Sequence, residues 1–253
     1  MEEKIISMNI GELKTRGGEL ITQIQEKEQE KQEEIDTPVE ENGLARMIEV
    51  AGPFMQLMMA YRCAVREIET KLNVLNDEYS VQFDRNPFES IKSRIKTPVS
   101  IVEKLKKREC DVTVENIEKY LTDVAGIRVI CSFPDDIYRL ADQLARQDDV
   151  VLVEKKDYIK NPKPNGYRSL HLILEIPIFL STGKKHVKVE VQFRTIAMDF
   201  WASLDHKLRY KKNIKNQDII AEELKSCADV LCDIDLRMQQ IRFMIEDQDK
   251  NKY

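Results

Sequence analysis

Residues 186–194, "HVKVEVQFR", constrain the fold more than any other stretch of the chain. Val187, Val189, Val191 and Phe193 alternate with Lys188, Glu190, Gln192 and Arg194, the period of a strand with one face in a core and the other open. A sheet built on such a strand must cover one side and leave a row of polar groups on the other. Just upstream, "LHLILEIPIFL" (170–180) is a nearly continuous apolar run, and "STGKK" supplies a turn between the two, so together they read as a hairpin.

Elements of both kinds surround it. "GIRVICSF" (126–133) and "VVLVEKKDYI" (150–159) are β-rich runs separated by the amphipathic helix "DDIYRLADQLARQ" (135–147). From Phe54 onward, Leu57, Met58, Tyr61, Val65, Ile68, Leu72, Leu75 and Tyr79 recur at steps of three and four, one face of a long helix. "TPVSIVEKLKKRE" (97–109) has a capping Thr97, Pro98 in the first turn and Ile101, Val102 and Leu105 facing inward. "TIAMDFWASLDHKLRYK" (195–211) is helical again. A final seam of Ile220, Leu224, Cys227, Leu231, Ile234, Met238, Ile241 and Ile245 steps 4-3-4-3-4-3-4, a spacing that meets another helix in the same chain or a partner. The expected fold class is α/β (α+β): a mixed sheet of about five strands flanked by helices, with long helices at both ends.

The remaining chain bounds the function. Residues 1–43 include "QIQEKEQEKQEEIDTPVEENG", too poor in apolar residues to bury a face, and are expected to be a charged extension, disordered or a frayed helix, ahead of a single domain over 44–253. No run approaches a transmembrane span and the N-terminus lacks signal-peptide order, so a cytoplasmic protein is expected. The five cysteines have no CxxC pairing and are expected to be buried free thiols. Net charge is −5, yet residues 19–41 and 217–249 carry −7 and −6, which leaves the rest near +8. A basic centre in an acidic whole points to a local anionic ligand.

Several groups fit such a ligand, each with a blander alternative. Asp123, at the mouth of one strand, and Glu190, on the polar face of another, can share a Mg²⁺ with substrate phosphates, or they are two solvated acids. "SRIKTPVSIVEKLKKR" supplies Arg94, Lys96, Lys104, Lys106, Lys107 and Arg108 against one acid, enough to neutralise a triphosphate, or simply a solvated helix face. In "NPKPNGYRSLHL" (161–172), Gly166 permits a sharp turn and close approach to a ligand, and Lys163 and Arg168 flank Tyr167, which either stacks on a base or folds over the strand edge. His171 reads as a buried histidine. The chain has no GxxxxGK[ST], no GxGxxG and no histidine-metal spacing, so phosphate would be gripped by scattered cations and two acids.

Five ordered segments, "SRIKTPVSIVEKLKKR", "LTDVAGIRVICSF", "DYIKNPKPNGYRSLHL", "VKVEVQFRT" and "AMDFWASLDHKLRYK", closely resemble the synthetase domain of the RelA/SpoT family, in particular small alarmone synthetases of the RelQ type. The resemblance implies a nucleotidyltransferase-like fold and a GTP/GDP pyrophosphokinase that transfers pyrophosphate from ATP to the 3′-hydroxyl of GDP or GTP, giving ppGpp or pppGpp and AMP. It implies Asp123 and Glu190 as Mg²⁺ ligands, with Glu190 activating the hydroxyl. Arg94 and Arg128 would sandwich adenine, and Lys96, Lys104 and Lys107 would contact the ATP phosphates. Tyr167 would stack on guanine, with Lys156, Lys163, His171, Gln192 and Asp199 completing the GTP/GDP side. Lys107 stands where some relatives carry arginine. Asp199 stands where some carry asparagine, and a carboxylate can accept from guanine N1–H and the 2-amino group. No hydrolase activity is expected. The family further implies a homotetramer built through terminal helices, pppGpp as an allosteric effector and single-stranded RNA as a partner of some members. A catalytically silent nucleotide- or RNA-binding regulator of the same fold is the alternative, and a synthetase acting on another acceptor is a third.

Overall fold

The computed structural model describes residues 41–83, 85–209 and 217–250. The expected extension falls mostly on residues 1–40, outside the described ones. The chain divides at Phe54/Met55 into two compact units, and the second carries everything below. Helix α1 (Glu41–Phe83) crosses that division, and all eight residues of its expected apolar face, Leu57 through Tyr79, are buried.

After α1 come β1 (Phe88–Ile95), α2 (Pro98–Lys106), α3 (Val114–Tyr120), β2 (Ala125–Cys131), α4 (Pro134–Ala145), β3 (Val151–Asp157), β4 (Leu170–Leu180), β5 (Gly183–Thr195), α5 (Ile196–Arg209) and α6 (Gln217–Lys250). The strands form one sheet in the order β1-β2-β5-β4-β3. β2 and β5 run parallel; the other neighbours are antiparallel. The hairpin β4–β5 turns at Ser181-Thr182, with Gly183 at φ +126°. Val187, Val189, Val191 and Phe193 are buried, so the alternation that opened the sequence does mark a core face and an open face.

Two elements escape the sequence pattern. β1, "FESIKSRI", is mostly exposed and carries no apolar alternation; it is a strand because it pairs along β2 at the sheet edge, a tertiary cause that local propensity does not show. Helix α3 has only seven residues and is defined by its cap, Thr113, whose hydroxyl accepts from the Asn116 N–H at 3.2 Å. The cysteines also differ from expectation. All five are free thiols, but only Cys131 is buried and Cys227 is exposed.

That seam is the larger surprise. Helix α6 lies on the domain through a largely polar stripe. The buried Asp235 accepts from the Thr195 hydroxyl at 2.5 Å, the Gln239 side chain accepts from the Asp135 N–H at 2.9 Å, and Arg242 reaches Asp135 at 2.6 Å and Asp136 at 3.5 Å. Asp136, fully buried at the start of α4, also takes both amino nitrogens of Arg85, at 3.0 and 2.5 Å. Ile234, Met238, Ile241 and Ile245, the lower half of the seam, point to solvent.

Asp136 is therefore a buried charge held by two arginines. Asp136→Asn should lower unfolding free energy by about 3 kcal/mol, since it takes the counter-ion from Arg85, while Arg242 keeps its ion pair with Asp135. A urea titration checks this through a lower midpoint at unchanged slope.

Candidate active site

The register places the polar face. Lys92 pairs with Arg128, Arg128 with Gln192, Gln192 with His171, and His171 with Lys156, so one row of polar side chains crosses all five strands. In the adjoining row Arg94 pairs with Gly126 and Gly126 with Glu190. A cavity of about 200 Å³ opens above β1 and β2, lined by Lys92, Ser93, Arg94, Gly126, Ile127, Arg128 and Gln192. The structure thus gathers Arg94 and Arg128 around one space, as the sequence suggests.

Asp123 lies just before β2. Its Oδ2 accepts from Lys96 Nζ at 2.7 Å and from Lys104 Nζ at 2.6 Å, while Oδ1 is buried without a partner. Lys96 is fixed by the chain's exit from β1, where its N–H donates to Val124 O at 2.8 Å. Lys104 sits in the last turn of α2, whose N-cap is Thr97 as expected. Burial pushes the Asp123 carboxyl up, but the two lysine hydrogen bonds outweigh it and hold its pKa below the usual value. Lys107, the C-cap of α2, is exposed and does not join Lys96 and Lys104 in contact with Asp123.

Glu190 is wired to the loop of residues 161–172. Its Oε2 accepts from Gln192 Nε2 at 2.8 Å, and Oε1 lies 3.2 Å from His171 Nδ1. His171 Nε2 lies 2.8 Å from the Tyr167 hydroxyl, whose oxygen accepts from Arg194 Nη2 at 2.8 Å. An ionised Glu190 can only accept, so Nδ1 carries the hydrogen that faces it, and the Nε2 of a neutral ring then accepts from the Tyr167 hydroxyl. Burial and the Asp123 charge raise the Glu190 pKa, yet the His171 and Gln192 hydrogen bonds win and hold it below the usual carboxylate range. A carboxylate in this state is ionised at neutral pH.

The loop "NPKPNGYRSLHL" differs in detail from expectation. Tyr167 is half-buried with its hydroxyl turned into the network, so it is folded over the sheet and is not an exposed ring. Lys163 Nζ lies 4.9 Å from its ring centroid and 4.7 Å from that of Tyr158, whose ring also meets His171 edge-on. Gly166 has φ +89°, and its close approach is to α6: a Cβ there would sit 2.7 Å from Ala228 Cβ. Arg168 likewise turns to α6, donating to Asp229 at 2.8 Å. Lys156 is exposed and paired with Glu154 at 3.0 Å, at the outer end of the polar row. His171 is both buried, at 8% exposure, and part of the network.

Asp199, in the first turn of α5, lies against Arg194 at 3.0 Å and Arg128 at 3.2 Å. Arg194 is the functional candidate that sequence reasoning missed. It belongs to the alternating row, but nothing in its spacing shows that it is 5% exposed and bonded at once to Asp199, Tyr167 and Gln192.

Comparison with known proteins agrees with this geometry. Residues 93–215 match the profile of a region found in RelA / SpoT proteins. The chain is 43% identical over 185 residues to the GTP pyrophosphokinase YwaC of Bacillus subtilis, covering 73% of this chain and 88% of that protein. It is 34% identical over 192 residues to the GTP pyrophosphokinase YjbM of the same organism, covering 76% and 90%. Among solved structures, small alarmone synthetase 2 from Bacillus subtilis superposes with a TM-score of 0.68 at 41% identity, over 76% of this chain and 98% of that one. Small alarmone synthetase 1 from Bacillus subtilis, bound to its product pppGpp, does so with a TM-score of 0.69 at 34% identity, over 76% and 97%.

Two outcomes follow from the geometry. Gly166→Ala should destabilise the fold by about 1–3 kcal/mol from positive φ and the clash with Ala228; thermal unfolding should show Ala228→Gly recovering only the clash component. Asp123→Asn should cost about 1–2 kcal/mol at pH 7 by leaving two lysines unpaired. Because the folded pKa is depressed, that cost is full above about pH 4 and fades as pH falls further, which unfolding of both proteins between about pH 3 and 7 would show.

Proposed function

The chain belongs to the RelA/SpoT family, and we propose that it is a GTP pyrophosphokinase making pppGpp or ppGpp and AMP from ATP and GTP or GDP. The observation that carries the proposal is the pair Asp123 and Glu190, set by adjacent parallel strands within a ring of cations on the polar sheet face. A module that only bound anionic nucleotides would gain nothing from two ionised carboxylates beside them, since without a counter-ion they repel the ligand.

The donor nucleotide fits the β1–β2 side. Arg94 and Arg128 flank the cavity and their planar guanidinium groups suit stacking on adenine. Lys96 and Lys104, now bonded to Asp123, would turn to the phosphates. Asp123 Oδ1, buried and unpartnered, fits a metal ligand, and Asp123 and Glu190 would hold Mg²⁺. Bound there, the ion would neutralise charge on the transferred phosphates.

The acceptor fits the β4 side. Tyr167 would stack on guanine, with Lys163 and His171 nearby and Lys156 at the margin. Glu190, ionised and oriented by His171 and Gln192, would accept the 3′-hydroxyl proton as that oxygen attacks the β-phosphorus; the bond to the α-phosphate oxygen breaks and AMP leaves. The proposal includes the cytoplasm, where ATP and GTP are made, and assembly as a tetramer. Support for assembly is the solvent-facing seam of Ile234, Met238, Ile241 and Ile245 on α6. An alarmone effector and single-stranded RNA are carried over as ligands from the family alone.

Incubation with β-labelled ATP, Mg²⁺ and GDP or GTP, followed by chromatography, should yield labelled ppGpp or pppGpp; no such product from the wild type overturns the proposal. Glu190→Gln should lower kcat by about 10²–10⁴-fold. Tyr167→Ala should raise the acceptor KM by about tenfold or more and leave the ATP KM nearly unchanged.

A further inference from the structure

Asp199 is one carboxylate among three cations. Its Oδ1 lies 3.0 Å from Arg194 Nη1 and 3.2 Å from Arg128 Nη1, and its Oδ2 lies 3.9 Å from Lys92 Nζ. Arg128 and Lys92 line the donor cavity on β2 and β1, whereas Arg194, on β5, holds the hydroxyl of Tyr167. Asp199 therefore stands on the boundary between the two proposed nucleotide sites, and an assignment to guanine alone leaves its firmest contacts unused.

The electrostatics need it there. Burial and the Arg194 charge both work against the Arg128 guanidinium, and Asp199 is the largest influence in its favour. Arg128 Nε is buried without a partner, and the ion pair at Nη1 is the contact that holds the group toward Asp199. A neutral amide at this position would keep one acceptor oxygen but lose the charge that lets two guanidinium groups converge.

We propose that Asp199 is a positioning residue shared by the two sites: it holds Arg128 in place for the ATP base and Arg194 in place behind the guanine tyrosine, coupling donor and acceptor through one carboxylate. Shared in this way, Oδ2 is the oxygen left to meet an acceptor base. The proposal rests on the ATP and guanine-nucleotide assignment given above, and its test separates the two.

Binding of an ATP analogue with a methylene bridge between the α- and β-phosphorus is measured by calorimetry, with Mg²⁺ and no guanine nucleotide, on the full chain. Asp199→Asn should weaken it about tenfold, as loss of a charge-assisted hydrogen bond does, although no acceptor base is present to be read. In an Arg128→Gln background the same substitution should have no further effect. Unchanged affinity in Asp199→Asn, or an equal loss in both backgrounds, overturns the shared carboxylate. A second arm does not depend on Asp199→Asn folding: Arg128→Gln, which removes no acceptor contact, should lower the kcat/KM preference for GDP over IDP several-fold, and an unchanged preference overturns the coupling. A wild-type protein that does not bind the analogue overturns the ATP assignment itself, and the coupling with it.

Discussion

The parallel pairing of β2 with β5 is the constraint on which the rest of the site depends. A parallel neighbour cannot be reached by a hairpin, so the chain leaves β2 through α4, builds β3 and β4, and returns to insert β5 between β2 and β4. Only this insertion sets Glu190 opposite Gly126 and Gln192 opposite Arg128. Had β5 stayed at the far edge beside β4 alone, the carboxylate would face no partner from the Asp123 strand. A slip of one residue would turn Glu190 into the core and a valine into the site, and the burial of Val189 and Val191 opposes that strongly.

Given that register, the polar face solves an electrostatic problem without a ligand. The cations need anions nearby, and the site supplies them from its own carboxylates: Asp123 for Lys96 and Lys104, Asp199 for Arg128 and Arg194. The same groups are the ones a nucleotide phosphate or base would engage, so binding would exchange internal partners for external ones without creating charge anew. The chain from Arg194 through Tyr167 and His171 to Glu190 has each donor matched to an acceptor, which holds the proposed base and the proposed stacking ring in one arrangement.

Much of this was legible because it is periodic. The buried face of α1, the β4–β5 hairpin and the alternating face of β5 follow from spacing alone, and each is where the spacing puts it. β1 was not legible, since an exposed edge strand of charged residues carries no apolar period and is made by its partner. At the site, residue types and order pointed to Asp123, Glu190 and Arg94, and the family resemblance added Arg128. Arg194 was invisible because its importance lies in burial; the sharp turn at Gly166 was legible, but its contact with a helix more than sixty positions away in sequence was not.

Helix α6 ties these threads together because the faces of its lower half are inverted relative to an ordinary surface helix. Polar residues point inward there, where Asp235, Gln239 and Arg242 find partners on α4 and at the end of β5, and the lower half of the apolar seam points outward. A helix packed on its domain mainly for hydrophobic burial would do the opposite. The inward contacts are directional, so they fix the helix in rotation and along its axis, and that placement is what seats Ala228 against Gly166 and Asp229 against Arg168. The loop of residues 161–172 is thus positioned from below by the sheet and from the side by helix α6. An apolar stripe kept in register by polar anchoring is stabilised only when something buries it, and a second copy of the same helix presents the matching spacing.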